Sequence, residues 1–286
     1  MDTSHNSSEA TQDLAPLCWH FTLAYDGAAY AGWQVQPTIK TVQGELLSRL
    51  RRILRAPELK IYGSSRTDAG VHALDQQVSF TAEMPPDIEI ESLPGKLNRW
   101  LPDDILITGA RVCPAPFNAR YDNFGKAYTY CISPSVKVNP LFARYVWRTP
   151  RPIDVVAMQE AAAILTGTHD FASFAVNPGR ELDSTVRSLY RLEVIEKDDL
   201  IFVNAVGESF LYKMVRSLVG YLAYVGMGYA KPEEANRVLA GKNRRLAADS
   251  APAQGLFLAK VFMQPDEWRD YMPILPPFSL QNLIKK

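Results

Sequence analysis

The sequence predicts an α+β fold, and three observations carry that expectation. Apolar residues recur at every second position in several short runs, which is the pattern of strands with one buried face. In other runs they recur about every fourth position, which is the pattern of helices. Both kinds are mixed along one chain of 286 residues whose 47% apolar content suits a sizeable core, a combination that suggests α+β layers.

The chain opens with MDTSHNSSEATQD, which is polar and lacks the basic and apolar regions of a signal peptide, so residues 1–16 are expected to form a disordered tail. Trp19, Phe21, Leu23 and Tyr25 alternate as a strand, and Tyr25-Asp26-Gly27 ends it with turn chemistry. A helix follows: Val42, Leu46, Leu50 and Leu54 recur every four residues behind Thr41, a suitable N-cap. Arg49, Arg52 and Arg55 fall on its more solvated side. This basic ridge is a first candidate RNA contact, and equally a solvated helix face.

The octapeptide RTDAGVHA, Arg66 to Ala73, sets the carboxylate of Asp68 at a turn directly after a cation. Asp-Ala-Gly favours a turn, because aspartate bonds its own backbone and glycine tolerates positive φ. Residues 59–62 before it and the alternating Gln76, Val78 and Phe80 after it read as strands, so the turn belongs at a sheet edge, where functional loops concentrate.

Further strands are expected at 105–112, 128–132, 187–196 and 200–206, with helices near 153–165 and 210–226. The natural division is the loop containing Pro114, Pro116 and Asn118, giving halves 17–115 and 116–286. The run FLYKMVRSLVGYLAYVG, residues 210–226, is apolar around most of its circumference and should be buried on more than one side. Arg216 within it must meet a carboxylate or reach water, since burying it alone costs several kcal/mol as an order of magnitude. Asp68 is a candidate partner; snorkelling to the surface is the other outcome. Lys213, one turn earlier, is placed to share its face.

Composition limits the functions available. Lys plus Arg equals Asp plus Glu at 31 each, so any nucleic-acid surface must be local rather than global. Cys18, Cys113 and Cys131 are scattered without CxxC spacing, which argues against a disulfide framework or structural zinc and for a reducing cytoplasm. No run approaches the roughly 20 apolar residues of a membrane span. GxGxxG and GxxxxGK[ST] loops are missing, so no nucleotide cofactor is expected. Asp68, His72 and Asp75 lie close enough in sequence to raise a metal-dependent hydrolase, but without HExxH or paired cysteines no metal site is expected. His72 reads instead as a positioned turn residue, and His169-Asp170 as a packing and capping element.

Taken in order, YDG at Tyr25, GWQ at Gly32, TVQ at Thr41, RTDAGVHA at Arg66, LN..LP.DI from Leu97, FNAR at Phe117, KAYTY at Lys126, L.GTHDF..F at Leu165, FLYKMVR..VG at Phe210 and GL.L at Gly255 resemble a TruA-type tRNA pseudouridine synthase. The resemblance implies two related α+β halves whose antiparallel sheets join around a central RNA-binding cleft, within a homodimer. It implies isomerisation of uridine to pseudouridine in tRNA, at positions 38 to 40 of the anticodon stem-loop, without a cofactor. Motif by motif, Asp68 takes the place of the catalytic aspartate and Arg66 that of the basic residue beside it. Tyr128 falls on the active-site tyrosine and Arg216 on the arginine that pairs with the aspartate.

The chemistry asks for such groups. A C–N bond must break without loss of the base, so a carboxylate attacks ribose C1′ or uracil C6, or stabilises a charged intermediate. A guanidinium beside a carboxylate favours its charged form, which suits a nucleophile better than a general acid. The base must leave its stack at a cost of a few kcal/mol, which stacking on an aromatic such as Tyr128 offsets by about 1–3 kcal/mol. Tyr128 has the alternative reading of an aromatic that fills a sheet face. Separately, a non-catalytic RNA-binding module would share the sheet and aromatics but would not need Arg66, Asp68 and Arg216. Three departures from the family pattern stand out: Gly63-Ser64-Ser65 in place of Gly-Ala-Gly, Asp75 in place of a common glycine and expected to face solvent, and the proline-punctuated stretch 135–144. Lys242, Arg244 and Arg245 are expected to add to a basic surface leading to the cleft, with Glu89, Glu91, Asp198 and Asp199 segregated from it.

Overall fold

The computed structural model describes residues 15–113, 116–135, 137–149, 151–176, 179 and 183–275. The expected tail lies outside the described residues up to position 14, and part of the 114–118 loop does as well. No helix among the described residues is long and apolar enough to cross a membrane.

In the first half, β1 (Leu17–Tyr25) buries Trp19, Phe21, Leu23 and Tyr25 as its alternation requires. It pairs antiparallel with β3 (His72–Ala82) on one side and β4 (Ile105–Cys113) on the other. Helix α1 (Val42–Ile53) buries Val42, Leu46 and Leu50, and the Thr41 hydroxyl accepts from Gly44 N at 3.2 Å as its N-cap. The strand expected at 59–62 shortens to β2 (Tyr62–Gly63), paired with β3. Side chains explain the loss: the Leu59 carbonyl accepts from the Arg51 guanidinium at 3.0 and 3.2 Å and the Ile61 carbonyl from Gln43 Nε2 at 3.0 Å. Those acceptors are satisfied without a neighbouring strand. Helix α2 (Leu93–Trp100) packs beside α1 and β4.

The second half supplies β5 (Gly125–Ser133), β6 (Trp147–Arg148), β7 (Gly167–Asp170), β8 (Val186–Lys197), β9 (Leu200–Gly207) and β10 (Leu256–Phe262). Its helices are α3 (Val155–Leu165), α4 (Met214–Gly226) and α5 (Glu234–Gly241). The helix expected from residue 210 begins at Met214, because Lys213 adopts φ 58°, a left-handed conformation that a right-handed helix cannot contain. Lys213 therefore precedes α4 instead of sharing a face with Arg216.

The ten strands of the described residues form one sheet whose main path runs β4-β1-β3-β10-β5-β9-β8-β7. Neighbours along the path are antiparallel except β3 and β10, which run parallel through Phe257 opposite His72 and Leu258 opposite Ala73. The two antiparallel sets, one from each half of the chain, thus meet at this seam. His72 is buried there, stacked on Phe257 at 4.7 Å, with Nδ1 3.1 Å from Gly27 N and Nε2 3.1 Å from the Gln254 carbonyl.

Asp75, expected to face solvent, belongs to the seam as well. Its carboxylate accepts from Val261 N at 2.8 Å and Gln77 Nε2 at 2.8 Å and lies 3.5 Å from Lys260 Nζ. Burial raises its pKa, opposed by the Val261 amide and Lys260. The pairing across β3 and β10 is short and leaves the Val261 amide needing an acceptor, which this side chain supplies.

Candidate active site

The turn carrying Asp68 is shaped by its neighbours as much as by its own sequence. Val71 N donates to the Asp68 carbonyl at 3.1 Å, and Gly70 takes φ 77°, as Asp-Ala-Gly demands. Gly32 lies against it so closely that a Cβ would meet the Thr67 carbonyl oxygen at 2.5 Å and Asp68 C at 3.0 Å, and its φ of 89° also favours glycine. Gly27 abuts the far end, where a Cβ would sit 1.9 Å from the Val71 carbonyl oxygen. The YDG and GWQ motifs are thereby explained as the bed on which the turn rests. Trp33 N donates to the Thr67 carbonyl at 3.1 Å, and Tyr25 Oη pairs with Thr67 Oγ1 at 2.8 Å.

The segment Gly63-Ser64-Ser65 is pinned by Gln76 of β3. Its Oε1 accepts from Ser64 Oγ at 2.9 Å and Ser65 N at 3.2 Å, while its Nε2 donates to the Ser65 carbonyl at 2.7 Å. Both serines are buried, and the turn forms with them in place.

Asp68 meets Arg216. The Arg216 Nη1 donates to Asp68 Oδ2 at 2.8 Å and its Nε to the Ala251 carbonyl at 2.8 Å. Only 15% of the Arg216 side chain and 17% of the Asp68 side chain is exposed, so the guanidinium turns inward to the carboxylate instead of snorkelling out. The pair joins residues 148 apart in sequence and ties the two halves together.

Tyr128 lines the same cleft from β5, packed edge-on against Phe210 at 5.2 Å. Burial pushes its phenol up to about 12, the Ser65 hydroxyl opposes this, and the Asp68 charge adds to it. The ring is therefore a protonated phenol at neutral pH, able to donate a hydrogen bond rather than act as a base. Arg66 is exposed along the cleft wall.

The cleft encloses about 760 Å³. Among the described residues its lining contains the seven cations Lys60, Arg66, Arg120, Lys126, Arg187, Lys213 and Arg216, and a single carboxylate, Asp68. A chain without net charge thus concentrates positive potential in one concavity, the arrangement that attracts a polyanion. Exposed Tyr212 and Tyr62 add aromatic surface, with Lys213 Nζ 5.2 Å from the Tyr212 ring centre.

Arg49 and Arg52 are not brought into this cleft. Arg49 pairs with Glu45 and donates to the Trp100 carbonyl at 3.2 Å, while the Arg52 guanidinium lies 5.2 Å from the Trp100 ring centre. With Ser48 they border a separate shallow hollow. Arg55 pairs with Asp87 at 2.7 Å. The second expected cluster is also turned to other uses: Lys242 lies 2.9 Å from Asp170, and Arg244 donates to the Ala247 and Ala248 carbonyls. None of these, nor Glu89, Glu91, Asp198 or Asp199, lines the cleft.

The cations that reasoning from sequence passed over are Lys60, Arg120, Lys126 and Arg187. Arg120 closes FNAR and Lys126 opens KAYTY, so the signal for those two lay within recognised motifs. Lys60 and Arg187 carry no local signal and are placed by the fold alone.

A family model described as tRNA pseudouridine synthase matches residues 161–262. Among curated relatives, tRNA pseudouridine synthase A of Methylacidiphilum infernorum is 37% identical over 255 residues, covering 89% of this chain and 99% of the relative. The protein of that name from Chlamydia pneumoniae is 44% identical over 241 residues, covering 84% of this chain and 89% of its own. That of Thermoanaerobacter sp. (strain X514) is 40% identical over 237 residues, with coverages of 83% and 96%.

Proposed function

Because the chain belongs to the tRNA pseudouridine synthase family, we propose that it isomerises uridines at positions 38 to 40 of the tRNA anticodon stem-loop, with Asp68 as the group that acts on the nucleotide. The observation that carries this is the Asp68–Arg216 pair, set beside Tyr128 in a cleft otherwise lined by cations. The reaction moves atoms within one nucleotide: the N1–C1′ bond breaks, the C5–C1′ bond forms, C5 loses its proton and N1 gains one. A carboxylate serves this as the nucleophile at C1′ or C6 or as the counter-charge to the intermediate.

Arg216 holds the Asp68 carboxylate in place from one side through a charge-assisted hydrogen bond. Tyr128 offers the flipped uracil a ring to stack on and a hydroxyl to donate. Arg66, exposed beside the turn, meets the RNA backbone. A homodimer in the cytoplasm belongs to the same proposal, supported by the resemblance to the family. Incubating the purified protein with unmodified tRNA should give pseudouridine at positions 38 to 40, read by chemical mapping. Binding without pseudouridine would leave an RNA-binding module instead.

Arg49 and Arg52 extend the basic surface beyond the cleft in this reading. Changing both to glutamine should make the salt dependence of tRNA binding shallower by about 1, since each neutralised phosphate contributes about 0.7–0.9 to the slope. The change stays near one phosphate because Arg49 is already paired with Glu45. An unaltered slope would remove the ridge from the RNA surface.

A further inference from the structure

Lys126 stands near the head of β5, two residues before Tyr128 and so on the same strand face. It lines the cleft, but among the described residues no carboxylate comes within ion-pair distance of its ammonium. Its Nζ donates to Asn123 Oδ1 at 2.7 Å. Asn123 in turn donates to the Ala119 and Arg120 carbonyls at 3.0 and 3.1 Å, fastening the loop that bears Arg120 to the lysine. On the other side Lys126 is in register with Gly207, and Glu208 N donates to the Ser188 carbonyl at 3.2 Å, which brings Arg187 to the same end of the cleft. The Arg187 Nη1 reaches backbone carbonyls at 3.1 and 2.6 Å, whereas its Nε is buried without a partner among the described residues.

We propose that Lys126, Arg120 and Arg187 form a subsite for a phosphodiester group of the RNA strand beside the flipped uridine, with Lys126 setting how firmly that strand is held. The inference rests on the RNA-isomerase reading and specifies where the strand is gripped. All three side chains are donors without acceptor capacity, so their complement is an anionic acceptor such as phosphate and not a neutral base edge, which offers donors as well. Burial lowers the Lys126 pKa to about 8, opposed by Glu208. The free protein therefore loses this charge as pH rises through about 8. The other charged groups near Lys126 are Arg120, Arg187 and Asp68 along the cleft and Glu208 beside it, and Tyr128 titrates near 12.

The test uses the full chain and unmodified tRNA, with Kd measured against salt and pH and kcat measured at saturating RNA. Lys126→Met should raise Kd about tenfold and make the salt slope shallower by about 0.7–0.9, with kcat reduced much less than affinity. Wild-type affinity should fall above pH 8, and Lys126→Arg should recover affinity and abolish that fall, because arginine keeps its charge. Arg120→Gln, at an exposed position where folding is not at stake, should lower the slope by a similar amount. Unchanged Kd and slope in both Lys126→Met and Arg120→Gln would overturn the subsite. So would a pH break that persists in Lys126→Arg, or a loss in Lys126→Met confined to kcat. Wild-type protein that binds tRNA without forming pseudouridine would instead sink the isomerase reading, while the Kd comparison would still decide the subsite.

Discussion

Asp68→Asn should abolish pseudouridine formation while leaving the fold and most of the tRNA affinity in place. The expected loss in kcat is on the order of 10³-fold or more, the scale for removing a group that acts covalently or electrostatically only at the reacting centre. Asparagine keeps the size of the side chain and an oxygen that still accepts from Arg216 Nη1. The turn is closed by the Asp68 backbone carbonyl and not by its carboxylate, so its geometry does not depend on the charge. Thermal unfolding and tRNA binding should therefore stay close to wild type while quantitation of pseudouridine at saturating tRNA shows the loss. Turnover within tenfold of wild type would take Asp68 out of the chemistry.

Arg216→Met should lower kcat by about 10²–10³-fold, the range seen when one positioned donor to a reacting anionic centre is removed. Methionine suits the apolar surroundings of Met214, Val215, Leu218 and Val219, so the helix should form. Two bonds disappear with the guanidinium, to Asp68 and to the Ala251 carbonyl. A mostly buried carboxylate then lacks its counter-charge, and stability should drop by about 1–3 kcal/mol, read from denaturant unfolding. Arg216→Lys keeps the charge but not the two-armed geometry, and should fall between the two. If Arg216→Met turned over at the wild-type rate, the ion pair would be structural and not part of the reaction.

The strands and helices nearest the site were largely legible, because their periodicity is a local property. The alternation of Trp19, Phe21, Leu23 and Tyr25 gave β1, and the four-residue spacing behind Thr41 gave α1 with its cap. The helix bearing Arg216 starts a turn later than its apolar spacing suggests, since that spacing continues through residues 210–213 while the left-handed Lys213 keeps the helix from beginning before Met214. Residues 59–62 misled for a different reason: their pattern fits a strand, but side chains from α1 take the carbonyls that a strand would offer.

By itself the sequence determined the turn that presents Asp68 and the need of Arg216 for either a carboxylate or water, while Tyr128 was marked by the family resemblance. The first two follow from short-range chemistry: the Asp-Ala-Gly conformation and the cost of an unpaired charge in an apolar helix. Tertiary structure decided which carboxylate answers Arg216, since 148 positions of chain separate the two and the fold brings them to 2.8 Å. It also decided which cations line the cleft. Arg49 and Lys242 stand in conspicuous basic clusters yet are held by Glu45 and Asp170, while Lys60 and Arg187, solitary in sequence, line the cleft. A charge's partner is set by distance in space, which a neutral composition conceals and strand order fixes.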